Sequence, residues 1–167
     1  MSQASPIVIE RPVIRRKLRF LLVCGRILLG LIFVYAAYAK LHYNGAWHLR
    51  DYYFLFAMGI DSYRMVPLGA VEWMAKILPW LELALGAMLI AGVAVRWAGL
   101  AITALLVVFM IALAHAALEG LEINCGCFGT GSVSPGRELI LDGGLIALAL
   151  GVTAGGFFFR RAGKSEA

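Results

Sequence analysis

Long apolar segments alternate with short polar connections along this chain. Four segments of about 20 residues each are apolar enough to cross a bilayer, whose hydrocarbon core is about 30 Å thick. They cover residues 20–41, 69–93, 97–118 and 138–159. In lipid every backbone polar group must be hydrogen-bonded internally, so such segments form helices. The pattern predicts an all-α membrane protein, a single four-transmembrane-helix bundle over residues 20–159.

The first connection, which joins the first two segments, is more aromatic than an ordinary loop. Its residues 46–58 include Trp47, Tyr52, Tyr53, Phe54 and Phe56 in an amphipathic arrangement. Aromatic side chains with one polar and one apolar side favour the membrane–water interface. We therefore expect a short interfacial helix in this outer loop.

Composition and charge agree with a membrane protein. Hydrophobic residues make up 62% of the 167 residues, charged residues 15%, and the mean hydropathy is +0.84. The net charge of +5 does not indicate nucleic acid binding, because Lys and Arg flank the apolar segments, where they fix orientation and contact anionic headgroups. A basic arm (1–19) and a basic tail (160–167) predict that both termini are cytoplasmic. We expect a multi-pass protein of the bacterial inner membrane, with both longer loops on the periplasmic side.

Ionisable residues recur near one end of every predicted span. They are Lys40, Glu72 with Lys76, His115 with Glu119, and Glu138 with Asp142. Within each pair the spacing of four residues places both side chains on one helix face. Charged groups in a membrane face the bundle interior and pair, or else anchor helix ends at the interface. Their shared depth, level with a cysteine-containing loop, is the strongest functional signal in the pattern.

Two charges are predicted to lie deeper in the bundle. Arg26 lies inside the first span and Glu82 near the middle of the second. If the two antiparallel spans end level with each other, these residues differ in depth by about 6 Å. We therefore predict a buried ion pair between Arg26 and Glu82 that fixes the register of the bundle.

The loop before the fourth span contains the one compact chemical motif, Asn124-Cys125-Gly126-Cys127-Phe128-Gly129. The Gly spacer permits the backbone conformations that a small disulfide ring needs. A redox-active dithiol is one interpretation, since strained, exposed disulfides are the labile ones. The alternatives are a soft-metal site for Cu or Zn, with His115 as a third ligand, and a structural loop. The remaining Cys24 is expected to be an inert buried thiol.

Several short motifs resemble the MauE-type branch of the DoxX-like membrane proteins. They are Arg26-Ile27-Leu28-Leu29-Gly30, Ala39-Lys40-Leu41, Pro79-x-x-Glu82, Cys125-Gly126-Cys127-Phe128-Gly129, and Arg137 with Asp142. Members of this family are named for methylamine utilisation and are associated with maturing a disulfide-rich dehydrogenase subunit alongside a thioredoxin-like protein. The resemblance implies a four-helix bundle and a role in thiol–disulfide exchange outside the membrane.

We therefore expect thiol–disulfide electron transfer through Cys125 and Cys127, with Lys40 or His115 favouring the thiolate. The expected partner is a thioredoxin-fold protein or another membrane or periplasmic protein. No nucleotide, flavin or haem motif is present, and a quinone is the cofactor that fits a membrane site. Candidate quinone contacts are the aromatic residues Tyr35, Tyr38, Trp73 and Trp80. The competing functions are a non-catalytic subunit or assembly factor of a membrane complex, and a metal-handling protein.

Overall fold

The computed structural model describes residues 10–43, 46–47, 52–120 and 135–164. Its elements, in chain order, are α1 (Glu10–Leu41), β1 (His42–Tyr43), β2 (Ala46–Trp47), α2 (Tyr52–Ser62), α3 (Leu68–Ala91), α4 (Val95–Leu118) and α5 (Pro135–Lys164). Four helices contain stretches long and apolar enough to cross a membrane: Arg16–Leu41, Leu68–Ala91, Val95–Leu118 and Leu139–Phe157. The predicted four-helix membrane fold is confirmed.

The first connection differs from the sequence prediction in its early part. β1 and β2 form an antiparallel pair in which His42 lies opposite Trp47, so Trp47 belongs to a strand and not to the interfacial helix. The helix begins later, at Tyr52. The intervening Asn44-Gly45 dipeptide is typical of two-residue hairpin connections, and the aromatic periodicity obscured this signal.

A tight turn joins α3 to α4. Gly92 ends α3 in the left-handed region at φ 76°, and the N–H groups of Gly92 and Val93 donate to the carbonyls of Leu89 and Met88. Such bonds satisfy carbonyls left unpaired at a helix end. Ala94 also has a positive φ, of 46°, and α4 begins at the next residue. This turn lies at the end of the bundle where α1 starts and α5 finishes.

The helices α1 and α3 pack backbone against backbone. A Cβ added at Gly30 would lie 2.9 Å from the carbonyl oxygen of Gly86, and one added at Gly86 would lie 2.8 Å from that of Gly30. Small residues permit this approach in membranes, where helix association depends on close packing. A second close pair is α4 with α5, where Gly99 faces Thr153. The apolar core between these pairs is formed by Leu29, Phe33, Leu85, Leu89, Ala98, Ile102, Leu106 and Ala149.

The contact between Gly30 and Gly86 also sets the relative height of α1 and α3. Gly30 faces the segment from Gly86 to Ile90, so Leu41 comes level with about residue 77 of α3. α3 begins at Leu68 and thus extends about 14 Å beyond the end of α1, at 1.5 Å per residue. The projecting segment is covered in part by α2, whose Tyr53 ring lies under the Lys76 ammonium. The end of the bundle where α1 finishes and α3 begins is therefore stepped.

Candidate functional site: a buried ion pair near the cysteine loop

Lys40 and Glu82 form a buried salt bridge between α1 and α3. The Lys40 Nζ lies 2.6 Å from Oε1 and 2.6 Å from Oε2 of Glu82. The two side chains are only 2% and 3% exposed. Since each ion is removed from water, the pair is stable only because each charge neutralises the other.

Side-chain direction explains how residues at different heights meet. In an α-helix the Cα–Cβ bond tilts toward the helix N-terminus. Lys40 therefore reaches back into the membrane along α1, while Glu82, on the antiparallel α3, leans toward the loop end. The four-carbon stem of lysine spans the remaining distance along apolar surface.

Aromatic rings from two further helices complete the surroundings of the ammonium group. The Lys40 Nζ lies 5.1 Å from the ring centroid of Phe56 on α2 and 5.9 Å from that of Phe109 on α4. The negative faces of aromatic rings attract cations at such distances. The site thus joins α1, α2, α3 and α4 around one positive charge. The sequence analysis assigned neither phenylalanine to the site. Phe56 did stand out as an aromatic residue of the interfacial helix, and this could have indicated a contact with a nearby cation.

The predicted ion pair between Arg26 and Glu82 is wrong. Arg26 lies against Gly92, ten residues from Glu82 along α3, which corresponds to about 15 Å. The error came from assuming that α1 and α3 end at the same height. The glycine contact instead shifts α3 outward, so the partner of Glu82 is Lys40.

Asp142 on α5 is a second buried ionisable group, with 9% of its surface exposed. Its neighbour Gly143 faces Met110 of α4, the residue after Phe109. Asp142 therefore lies at about the depth of the Lys40–Glu82 pair. Of the groups expected to converge at this level, Lys40 and Asp142 do so. Glu82, which the sequence analysis placed deeper and paired with Arg26, joins them.

The remaining predicted pairs lie closer to the ends of the helices. Glu72 and Lys76 form an exposed salt bridge of 2.6 Å, as their spacing predicts. His115 is half-buried in the last turn of α4, where its carbonyl accepts a hydrogen bond from the Glu119 N–H. The side chain of Glu138 lies outside the described residues.

Cys125 and Cys127 also lie outside the described residues. Their segment connects Gly120, just after α4, to Pro135 at the start of α5. Both of these positions lie at the end of the bundle that contains Lys40. Among the residues that the structure describes, no group of three or more His, Cys, Asp or Glu side chains could hold a metal ion. The prediction of a buried Cys24 is wrong: its thiol is exposed on α1, on the apolar outer surface.

The four aromatic residues predicted as quinone contacts all lie on the outer surface. Tyr35 is 56% exposed, Tyr38 44%, Trp73 68% and Trp80 47%. The ring of Tyr38 stacks on His42 with centroids 5.0 Å apart. On α1 and α3 these residues face lipid, so any quinone contact there would be made from the bilayer side.

Comparison with known proteins identifies the family. The profile of the family described as "Methylamine utilisation protein MauE" matches residues 18–155, which include α3, α4, most of the first and fourth spans, the buried pair and the segment with both motif cysteines. The chain belongs to the MauE family. A relative from Paracoccus denitrificans, named "Methylamine utilization protein MauE", is 35% identical over 133 residues, or 78% of this chain and 67% of the relative. No solved structure was found to match this MauE-family chain.

Proposed function

We propose that this MauE-family protein performs thiol–disulfide exchange at the loop end of its bundle, through Cys125 and Cys127. The observation that supports this is the buried Lys40–Glu82 pair at that same end. Ionisable groups inside a membrane are costly, and they usually mark functional sites. Here the pair lies at the end of the bundle that carries a Cys-Gly-Cys motif between α4 and α5.

The exchange proceeds through a mixed disulfide. The Cys125 thiolate attacks one sulfur of a partner's disulfide, forming a new S–S bond and releasing the partner's other sulfur as a thiolate. The Cys127 thiolate then attacks Cys125 in the mixed disulfide, which closes the Cys125–Cys127 bond and releases the second partner sulfur. The partner gains two electrons and this chain loses two. Run in reverse, the same steps oxidise a partner dithiol.

The pairing of Lys40 supports a different division of roles between Lys40 and His115. A positive neighbour favours the thiolate form of cysteine. The charge of Lys40 is neutralised by Glu82, so Lys40 contributes little field to the loop and instead holds the last turn of α1 against the middle of α3. His115, half-buried in the last turn of α4 before the cysteine loop, is the better candidate for assisting the thiolate.

The proposed partner is a periplasmic protein of the thioredoxin fold. A quinone is the proposed membrane-side oxidant for the reverse direction, in which it restores the Cys125–Cys127 disulfide after a partner dithiol has been oxidised. A dithiol and a quinone yield a disulfide and a quinol, which balances two electrons and two protons. In this proposal the protein lies in the bacterial inner membrane, with both termini in the cytoplasm. The hypothesis also includes a role in methylamine utilisation, which is the role that the name of the relative states. It further includes a relationship to the wider DoxX-like membrane proteins.

Serine substitutions test the exchange reaction. Cys125→Ser and Cys127→Ser should each abolish function while protein abundance stays near normal. One of them should trap a partner as a larger species that collapses on reduction, because a lone thiolate cannot resolve its mixed disulfide. We expect the trap with Cys127→Ser, because a phenylalanine next to Cys127 in sequence favours Cys127 as the less reactive thiol and Cys125 as the attacking one.

Cys24→Ser is the matched control, because Cys24 lies on α1, outside the motif, and should leave function intact. Full activity in the Cys125→Ser/Cys127→Ser double variant would exclude the exchange mechanism and favour a non-catalytic assembly role. Stoichiometric copper or zinc that disappears in the double variant would instead favour metal handling.

A further inference from the structure

A cavity of about 630 Å³ opens at the end of the bundle opposite the cysteine loop. It lies between the first part of α1, the turn from α3 to α4, and the last part of α5. Its volume is in the range of ligand sites, about 300–1,000 Å³. The walls combine apolar side chains with three arginines. The arginines are Arg19, Arg26 and Arg96.

Arg26 supplies an unsatisfied donor in this cavity. Its Nε is buried and has no hydrogen-bond partner among the described residues. Its guanidinium lies against Gly92, where an added Cβ would be 2.6 Å from Nη1. A buried donor without an acceptor costs free energy, so the geometry favours a ligand that brings acceptor oxygens.

The second arginine is held in place by an aromatic ring. The Cζ of Arg96 lies 4.9 Å from the ring centroid of Phe157 on α5. Arg96 is also in the first turn of α4, whose N-cap residue, Ala94, makes no side-chain capping hydrogen bond. The positive end of the α4 dipole therefore adds to the arginine charges at the cavity.

Carboxylates are absent from the sequence stretches that line the cavity. Neither Asp nor Glu occurs within residues 11–50, 83–118 or 143–165. The charges of Arg26 and Arg96 are thus not balanced by acidic residues of these segments. Guanidinium groups bind phosphate oxygens through paired N–H donors, which makes a phosphate group a suitable counterion.

The outer rim of the cavity is apolar and faces lipid. Trp97 is 70% exposed and Val23 is 42% exposed beside the arginines. Tryptophan at this depth is typical of the headgroup level of a bilayer. We propose that the cavity binds the phosphate of an anionic phospholipid, with Arg26 and Arg96 holding the phosphate and the acyl chains lying along the apolar rim. Basic pockets between transmembrane helices bind anionic lipid headgroups in this way.

Lipid binding to the purified full-length protein tests the proposal. The protein in a neutral detergent is titrated with phosphatidylglycerol, with phosphatidylcholine, or with inorganic phosphate, and bound lipid is counted by native mass spectrometry. We expect phosphatidylglycerol to bind selectively. Arg26→Gln and Arg96→Gln should each weaken its apparent affinity by about fivefold or more, in line with about 1 kcal/mol per basic residue near a membrane surface.

Arg16→Gln is the matched control, since it removes the same charge from an exposed position of α1 that does not line this cavity. Equal binding of the two lipids, or equal weakening by Arg16→Gln and Arg26→Gln, would overturn the proposal in favour of diffuse surface charge. Displacement of phosphatidylglycerol by equimolar inorganic phosphate would overturn the lipid assignment. If Arg26→Gln fails to fold, Arg96→Gln decides the outcome alone.

Discussion

Both carboxylate oxygens of Glu82 lie 2.6 Å from the Nζ of Lys40, so a single salt bridge joins the last turn of α1 to the middle of α3. The pair is enclosed by two aromatic rings and nearly excluded from solvent. The effect of the pair on the free energy of unfolding therefore depends on whether both partners are present. The intact pair adds little net stability, whereas loss of one partner leaves an uncompensated buried charge.

Lys40→Met and Glu82→Leu should each destabilise the protein by about 3–5 kcal/mol, because each leaves one buried ion unpaired. The double variant, with two apolar side chains, should recover most of that loss. The free energy of unfolding in mixed detergent micelles measures both effects. The control is the exposed Glu72–Lys76 pair, where Lys76→Met should cost only about 0.3–0.5 kcal/mol. Equal losses in the double and single variants would mean that Lys40 and Glu82 are not energetically coupled.

Arg26 and Glu82 should act independently. Residues that are far apart and share no partner give additive free-energy changes, within about 0.5 kcal/mol. A double-mutant cycle with Arg26→Gln and Glu82→Leu should therefore show no coupling beyond that limit. A coupling energy of about 2 kcal/mol or more would contradict this independence and support the Arg26–Glu82 ion pair that the sequence alone predicted.

Gly86→Ala should destabilise the bundle by about 1–3 kcal/mol, the usual cost of overpacking, because the new methyl group would meet the backbone of α1. Gly151→Ala is the matched control, since a Cβ there meets nothing within 4 Å. In α5 that change should be neutral or stabilising by about 0.5–1 kcal/mol, because alanine restricts the unfolded chain more than glycine. Thermal unfolding in detergent gives both values, and similar losses at the two positions would argue against the α1–α3 contact.

Reporter fusions should place Ser132 on the periplasmic side and Lys164 in the cytoplasm. The expectation rests on the basic residues that flank the first and last spans. Labelling of single cysteines at the two positions with an impermeant reagent provides an independent measurement. Reversed sides, or the same side for both, would contradict the orientation that the proposed periplasmic exchange requires.

The number and approximate limits of the membrane helices could be read from the sequence, because helix length in a bilayer is fixed by hydrocarbon thickness. Hydropathy detects only the part of a helix that lies in the membrane. It therefore did not reveal that α1 already begins at Glu10. For a similar reason, residues 160–164 belong to α5 although they were expected in the tail.

The site was only partly predictable. Lys40 stood out because a lysine inside an apolar segment needs a partner. Its partner could not be identified without the relative height of α1 and α3, which the contact between Gly30 and Gly86 sets. The glycines of the spans look alike in sequence, and only the structure distinguishes Gly86, which touches a neighbouring backbone, from Gly151, which touches nothing.

The bundle consists of two closely packed helix pairs, and the Lys40–Glu82 bridge lies wholly within one of them. It resists the separation of α1 from α3, and it contacts α4 only through the longer cation–π contact between Lys40 and Phe109. The buried core between the pairs is apolar, and apolar contacts in lipid lack the hydrophobic driving force that they have in water. The boundary between the pairs is therefore a seam, and we expect relative movement of the two pairs to cost less free energy than separation of α1 from α3. Phe109 lies across that seam from Lys40, so movement there alters the surroundings of the charge without breaking its bond to Glu82.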